Sequence, residues 1–379
     1  MKKLLIVLAV LLLAAPTMAA EWNFYGSARF ATFSTDVDMD VAGEDSDRDT
    51  LWDQQGNSRI GATVKFNDEI GGAFEMSDSF GKRKLYGTYN FGAGQLLIGQ
   101  TYTPSSANFY SNSVYNGDGD LLGIGQFYVG RVPMIQLSFG DLKLAFIKPN
   151  TDNDYEYETG DTSYTVSALD EETLVIEAEA ETAAFDTDVT IPKIELSYGY
   201  KGEMFFVDVF GGYQTYEIED DSGWSEDIDA YVVGIGAGVD FGPAYLKAGF
   251  HTGENFGNYG QWNQAAGYFG TGYFWDKAIP YESGVVDSDG MGYLGVLGFK
   301  ANDMLTFEAG YGYEETEGDD SAVGVDYEAE VEQYYLNATI NFTKGFFMVP
   351  EIGMIEYEEK GVTEEPEIFY VGAKWQINF

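Results

Sequence analysis

The stretch Glu367–Phe379, EIFYVGAKWQINF, decides the fold. Phe369, Val371, Ala373, Trp375, Ile377 and Phe379 are all apolar, whereas the interleaved Tyr370, Gly372, Lys374, Gln376 and Asn378 are nearly all polar or small. A period of two is a strand with two unlike faces. A half-buried strand of a water-soluble sheet has the same pattern. Three features argue instead for lipid on one face and water on the other: an export leader at the start of the chain, no cysteine, and a strand that ends on an aromatic residue.

The leader is residues 1–20. Lys2 and Lys3 precede an apolar run, Leu4 to Ala15, and small residues follow, as in a secretory signal peptide. That run is too short to span a bilayer as a helix, and no later stretch is long enough. A chain that crosses lipid without helices must close into a barrel, since every backbone group there needs a partner. The absence of cysteine suits passage through an oxidising compartment. Glycine (47), tyrosine (28) and phenylalanine (27) are abundant. The formal net charge is −43, and without Lys2 and Lys3 it is near −45. Such acidity argues against nucleic acid as a partner.

From Trp22 onward, alternating segments recur. Trp22, Phe24, Ala28 and Phe30 share one face with Arg29 on the other; Ile60, Ala62, Val64 and Phe66 oppose Arg59 and Thr63. Further strands are expected at 70–80, 84–91, 95–103, 124–139, 142–148, 193–200, 203–217, 228–241, 244–252, 290–299, 304–313, 328–342, 346–357 and 367–379. Tight turns (Asn67-Asp68-Glu69, Gly92-Ala93-Gly94, Gly140-Asp141, Gly242-Pro243) alternate with long acidic loops. This predicts an all-β transmembrane antiparallel barrel of about sixteen strands, occupying residues 21–379, with short periplasmic turns and long acidic outer loops. A hairpin within Asn150–Pro192 would make eighteen if it entered the wall.

KRKLYGTYNFGAGQLLIGQTYTP (Lys82 to Pro104) resembles the general-diffusion porins of Gram-negative outer membranes, and NFYGSARF resembles their first strand. Tyr370, Gly372, Trp375, Ile377 and Phe379 resemble the C-terminal signal that the barrel-assembly machinery reads in that family. The resemblance implies an outer-membrane location among lipid and lipopolysaccharide, and a water-filled barrel that assembles as a homotrimer. It also implies passage of small hydrophilic solutes, and a third outer loop, Pro104 to Gly123, folded inward. No cofactor or metal is implied.

Arg29 lies eight residues after the mature start at Glu21, Arg59 eight before the turn at Asn67 and Lys84 eight before the turn at Gly92, so the three reach similar heights on the inner face, where Glu75 also points. The third loop would bring Asp118 and Asp120 opposite, and a field across the pore would set ion preference, favouring cations. Asp45, Asp47 and Asp49 read as solvated loop charge, with divalent binding as the other reading. GIGAG (Gly234–Gly238) has no following helix and does not read as a phosphate loop. Asn337-Ala338-Thr339 reads as an incidental glycosylation match. His251 would have to be the base of a barrel hydrolase, but its parity makes it a pore-lining residue. The other classes weighed are a channel specific for an anion or sugar, and a structural or adhesion barrel.

Overall fold

In a computed structural model, described over residues 20–38, 47–106, 108–115, 123–151, 156–170, 173–262, 276–281, 284–320, 325–361 and 365–379, the alternating segments close into a ring. The wall runs β1 (Glu21–Asp38), β2 (Asp47–Gln54 and Arg59–Lys65), β3 (Ile70–Ser77), β4 (Lys82–Asn90), β5 (Gln95–Tyr102), β6 (Arg131–Phe139), β7 (Leu142–Ile147) and β8 (Asp186–Asp188 and Lys193–Lys201). It continues with β9 (Phe205–Glu219), β10 (Ser225–Asp240), β11 (Ala244–Glu254), β12 (Asp289–Lys300), β13 (Leu305–Asp320), β14 (Val325–Thr343), β15 (Phe346–Glu359) and β16 (Glu367–Asn378). Each strand pairs antiparallel with the next. The first and last also pair, from Ser27 opposite Asn378 to Asp38 opposite Glu367, so the ring has no open edge. The sixteen-stranded barrel expected from the alternation is present.

The decisive strand behaves as its pattern requires. Phe369, Val371 and Ile377 are 45–50 % exposed on the outside, whereas Tyr370, Lys374 and Gln376 are buried inside. The same exposure recurs at Ile98, Ile135, Leu196, Ile235, Leu297 and Leu336. A belt of this extent is stable only against lipid. Phe66, Phe91, Phe139, Phe241, Phe299 and Phe342 are all exposed just before tight turns. Together they form an aromatic girdle where the hydrocarbon ends. Gly140 (φ +60°) and Gly345 (φ +88°) sit in such turns, in the left-handed conformation that glycine adopts at no steric cost.

The structure corrects several boundaries. The expected strand 124–139 begins only at Arg131, because Gly125 and Gly130 adopt φ of +78° and +85° and Gly123–Gly130 belongs to an inward loop. Residues 34–38 and 47–54, read as acidic loop, extend the β1–β2 ladder, with Arg48 Nη2 2.6 Å from Asp36 Oδ2. Asp47 and Asp49 therefore belong to a strand, and Asp45 lies outside the described residues, as does the leader at 1–19. Inside Asn150–Pro192, segments Glu156–Asp170 and Thr173–Ala184 pair only with each other, which keeps the wall at sixteen strands.

A charge is costly on the outer face and tolerated in water. Leu336→Arg should therefore lower unfolding stability in lipid vesicles by about 2–4 kcal/mol. The exposed inner-face change Thr63→Arg should stay within about 0.5 kcal/mol. Urea titration followed by tryptophan fluorescence checks both.

Candidate functional site

The barrel interior is organised by the segment between β5 and β6, described at 103–106, 108–115 and 123–130. It leaves β5 through a single 3₁₀ turn, Pro104–Ser106, and crosses to the far wall. There it meets inward-facing carboxylates. Glu195 on β8 accepts the Ser105 N–H at 3.0 Å and its hydroxyl at 2.7 Å. Glu308 on β13 accepts the Asn112 N–H at 2.6 Å and also its side-chain amide. Glu314, on the same strand, accepts the Gly125 N–H at 3.1 Å. Glu351 on β15 accepts the N–H of Val114 at 2.9 Å and the Ser113 hydroxyl at 2.8 Å. Gln333 on β14 accepts the Ile124 N–H at 3.0 Å.

These bonds replace the ladder that an inward loop gives up, and each is charge-assisted where a carboxylate accepts. Apolar packing completes the seat. Val114 and Ile124 enter a cluster with Phe33, Val331, Ile355 and Tyr370. Tyr115 stacks on Tyr370 with ring centroids 3.8 Å apart. Phe127 packs on Ala230, Val232, Phe256 and Tyr259. Tyr259, in the short helix α1 (Phe256–Tyr259), donates its hydroxyl to Glu195 at 3.0 Å. Burial, and then the Glu195 carboxylate, hold that phenol well above its ordinary pKa, so it remains a donor.

The wall from β1 to β4 carries a basic cluster. Glu75 is 2 % exposed and collects three cations: Arg83 Nε at 2.9 Å, Lys84 Nζ at 3.5 Å and Arg59 Nη1 at 3.7 Å. Tyr25 donates its hydroxyl to the same carboxylate at 2.9 Å. Two consecutive residues, Arg83 and Lys84, reach one carboxylate because the β3–β4 register shifts there, pairing Glu75 with Lys84 and Met76 with Lys82. The extra residue is a β-bulge that re-aims a side chain. Lys84 also lies over the Tyr102 ring, 5.1 Å from its centroid.

No family model and no curated protein matches the chain. Solved structures do. The outer membrane channel DcaP of Acinetobacter baumannii is 17 % identical and superposes with a TM-score of 0.62, covering 96 % of this chain and 99 % of that one. The anion-selective porin from Comamonas acidovorans is 13 % identical, with TM-score 0.54, 94 % and 100 %. OmpT, an outer membrane protein of Vibrio cholerae, is 15 % identical, with TM-score 0.52, 94 % and 98 %. The fold is that of the outer-membrane porins.

Within this porin fold the expected site residues fare unequally. Arg59, Lys84 and Glu75 meet. Arg29 is not the ladder partner of Arg59, which pairs with Ser27, two residues away. Arg29 is inside and buried, its Nε donating to Ser27 Oγ at 3.2 Å. Asp118 and Asp120 lie outside the described residues. His251 faces inward but is not washed by pore water: it is 1 % exposed, covered by Phe127 and Phe256, with Gln261 Nε2 3.1 Å from its Nε2. Sequence reasoning missed the clamping role of Glu195, Glu308, Glu314 and Glu351, although an acid in mid-strand at inward parity was a usable signal. It also missed Arg83, assigned to a connection.

Glu351→Ala removes the most heavily used acceptor. Single-channel conductance in planar bilayers should rise and become noisier, and limited proteolysis should cut the inward loop. Glu75→Gln leaves its cations without their counter-charge. It should shift the salt-gradient reversal potential towards anions and lower stability by about 3 kcal/mol.

Proposed function

We propose that this protein is a passive outer-membrane channel for small hydrophilic solutes and ions. The observation that carries the reading is the inward loop, pinned to wall acids inside a closed barrel whose outer face suits lipid. A loop held this way would narrow the passage, and the basic cluster around Glu75 would be a charged part of the lining. Solutes would be sorted by size and charge.

The finer features belong to the same proposal. The chain would be exported through its leader, residues 1–20. Tyr370, Gly372, Trp375, Ile377 and Phe379 would present the last strand to the assembly machinery, and lipopolysaccharide would surround the outer rim. Three copies would associate through their apolar belts. The excess of acidic residues would concentrate cations at the pore mouths and favour them, with Asp118 and Asp120 as acids of the constriction. Among the described residues, the His251 ring nitrogen meets the Gln261 amide and its faces meet phenylalanines, which does not favour a catalytic base.

Reconstitution into planar bilayers tests this. Stepwise, ohmic conductance in KCl is expected, with a reversal potential of cation-favouring sign in a salt gradient. Asp118→Asn together with Asp120→Asn should reduce that preference. A folded barrel that carries no current would end the reading.

A further inference from the structure

The motif Gly234-Ile235-Gly236-Ala237-Gly238 on β10 has a role that its sequence conceals. Its three glycines face inward, and each seats an aromatic ring. A Cβ at Gly234 would lie 2.2 Å from the Phe210 ring, at Gly236 2.0 Å from Tyr110, and at Gly238 2.2 Å from Phe206. Tyr110 comes from the inward loop and stacks on Phe206, with ring centroids 6.0 Å apart and planes 7° from parallel. A strip of rings therefore lies against β10, made possible by missing side chains.

The strip borders a cavity of about 510 Å³ between the inward loop and the turn end of β7–β11. Charges of both signs stand on its floor. Lys143 on β7, Asp208 on β9 and Lys247 on β11 all line it. The ladders separate them by Ser197 and Gly199 on one side and by Gly236 and Gly238 on the other. Each lysine is thus two strands and two residues of stagger from the aspartate, about 12 Å at the backbone, with small residues between. Tyr110 and Asp208 line the same cavity, so the carboxylate stands beside the aromatic strip.

A volume of this size, lined by aromatic faces and a few placed charges, is that of a small-ligand site. Building on the pore reading, we propose that it is a binding subsite within the channel for an aromatic zwitterion, a free amino acid with a ring side chain. The ring lies on Phe206 and Tyr110, the ammonium group meets Asp208, and the carboxylate meets Lys247. A purely anionic solute would leave Asp208 opposing it. A zwitterion without a ring would forgo the strip.

Saturation-transfer NMR on the full-length barrel folded in detergent tests the site without relying on conduction. Free L-phenylalanine should give saturable transfer strongest at its ring protons, and free L-alanine none at the same concentration. The ammonium-free analogue 3-phenylpropionate should bind at least several-fold more weakly. Phe206→Ala, Asp208→Asn and Lys247→Gln should each weaken phenylalanine by about fivefold, judged only in variants that keep the heat-modifiable mobility of a folded barrel. Equal transfer to alanine, equal binding of 3-phenylpropionate, or folded variants that bind like the parent would overturn the proposal. KCl conductance, measured separately, reports on the pore alone.

Discussion

The interior of this barrel depends on one kind of bond, a backbone N–H of the inward loop donated to a carboxylate on the wall. A loop inside a barrel cannot join the ladder, yet its amides are out of bulk water and must be satisfied. Glu195, Glu308, Glu314 and Glu351 supply acceptors in four places. The bargain is mutual. A buried carboxylate is expensive alone, and Glu351 is made tolerable by the donors that surround it: Ser113, Val114, Tyr115, Asn337 and Tyr370. Loop and wall thus stabilise one another, and neither conformation makes sense without the other.

The two sides of the lumen are consequently different in kind. Around the loop, wall acids meet neutral donors, and their charge is spread over amides and hydroxyls. Around Glu75, the acid is outnumbered by Arg59, Arg83 and Lys84. Cations are scarce in a chain with 20 basic residues against 63 acidic ones, so their collection on β1–β4 marks that bank of the passage. Glycine has a matching division of labour. On β10 it seats rings, and on β16 Gly372 lets Phe33 approach, since a Cβ there would lie 2.4 Å from the Phe33 ring.

The barrel was legible in the sequence because its physics is local. Outward and inward residues alternate, and a strand such as 367–379 carries both solvents in its spelling. The last strand also held more than it displayed: Tyr370, read as part of an assembly signal, is a loop anchor that stacks on Tyr115. What escaped was non-local. Counting along the chain gives no ladder register, so it does not show that Ser27, two residues from Arg29, is the partner of Arg59. A bulge of one residue hid Arg83. The segment 123–130 alternated well enough to pass for a strand, yet its buried residues Ile124 and Phe127 pack onto the inside of the wall. His251 had the parity of a pore residue, and only the fold shows the phenylalanines that cover it.

Amide hydrogen exchange on the folded barrel addresses the central claim most directly. If the wall carboxylates hold the loop, the N–H groups of Ser105, Asn112, Val114 and Gly125 will exchange as slowly as those of the neighbouring wall strands. Exchange of these amides at the rate of an open surface loop would contradict the account.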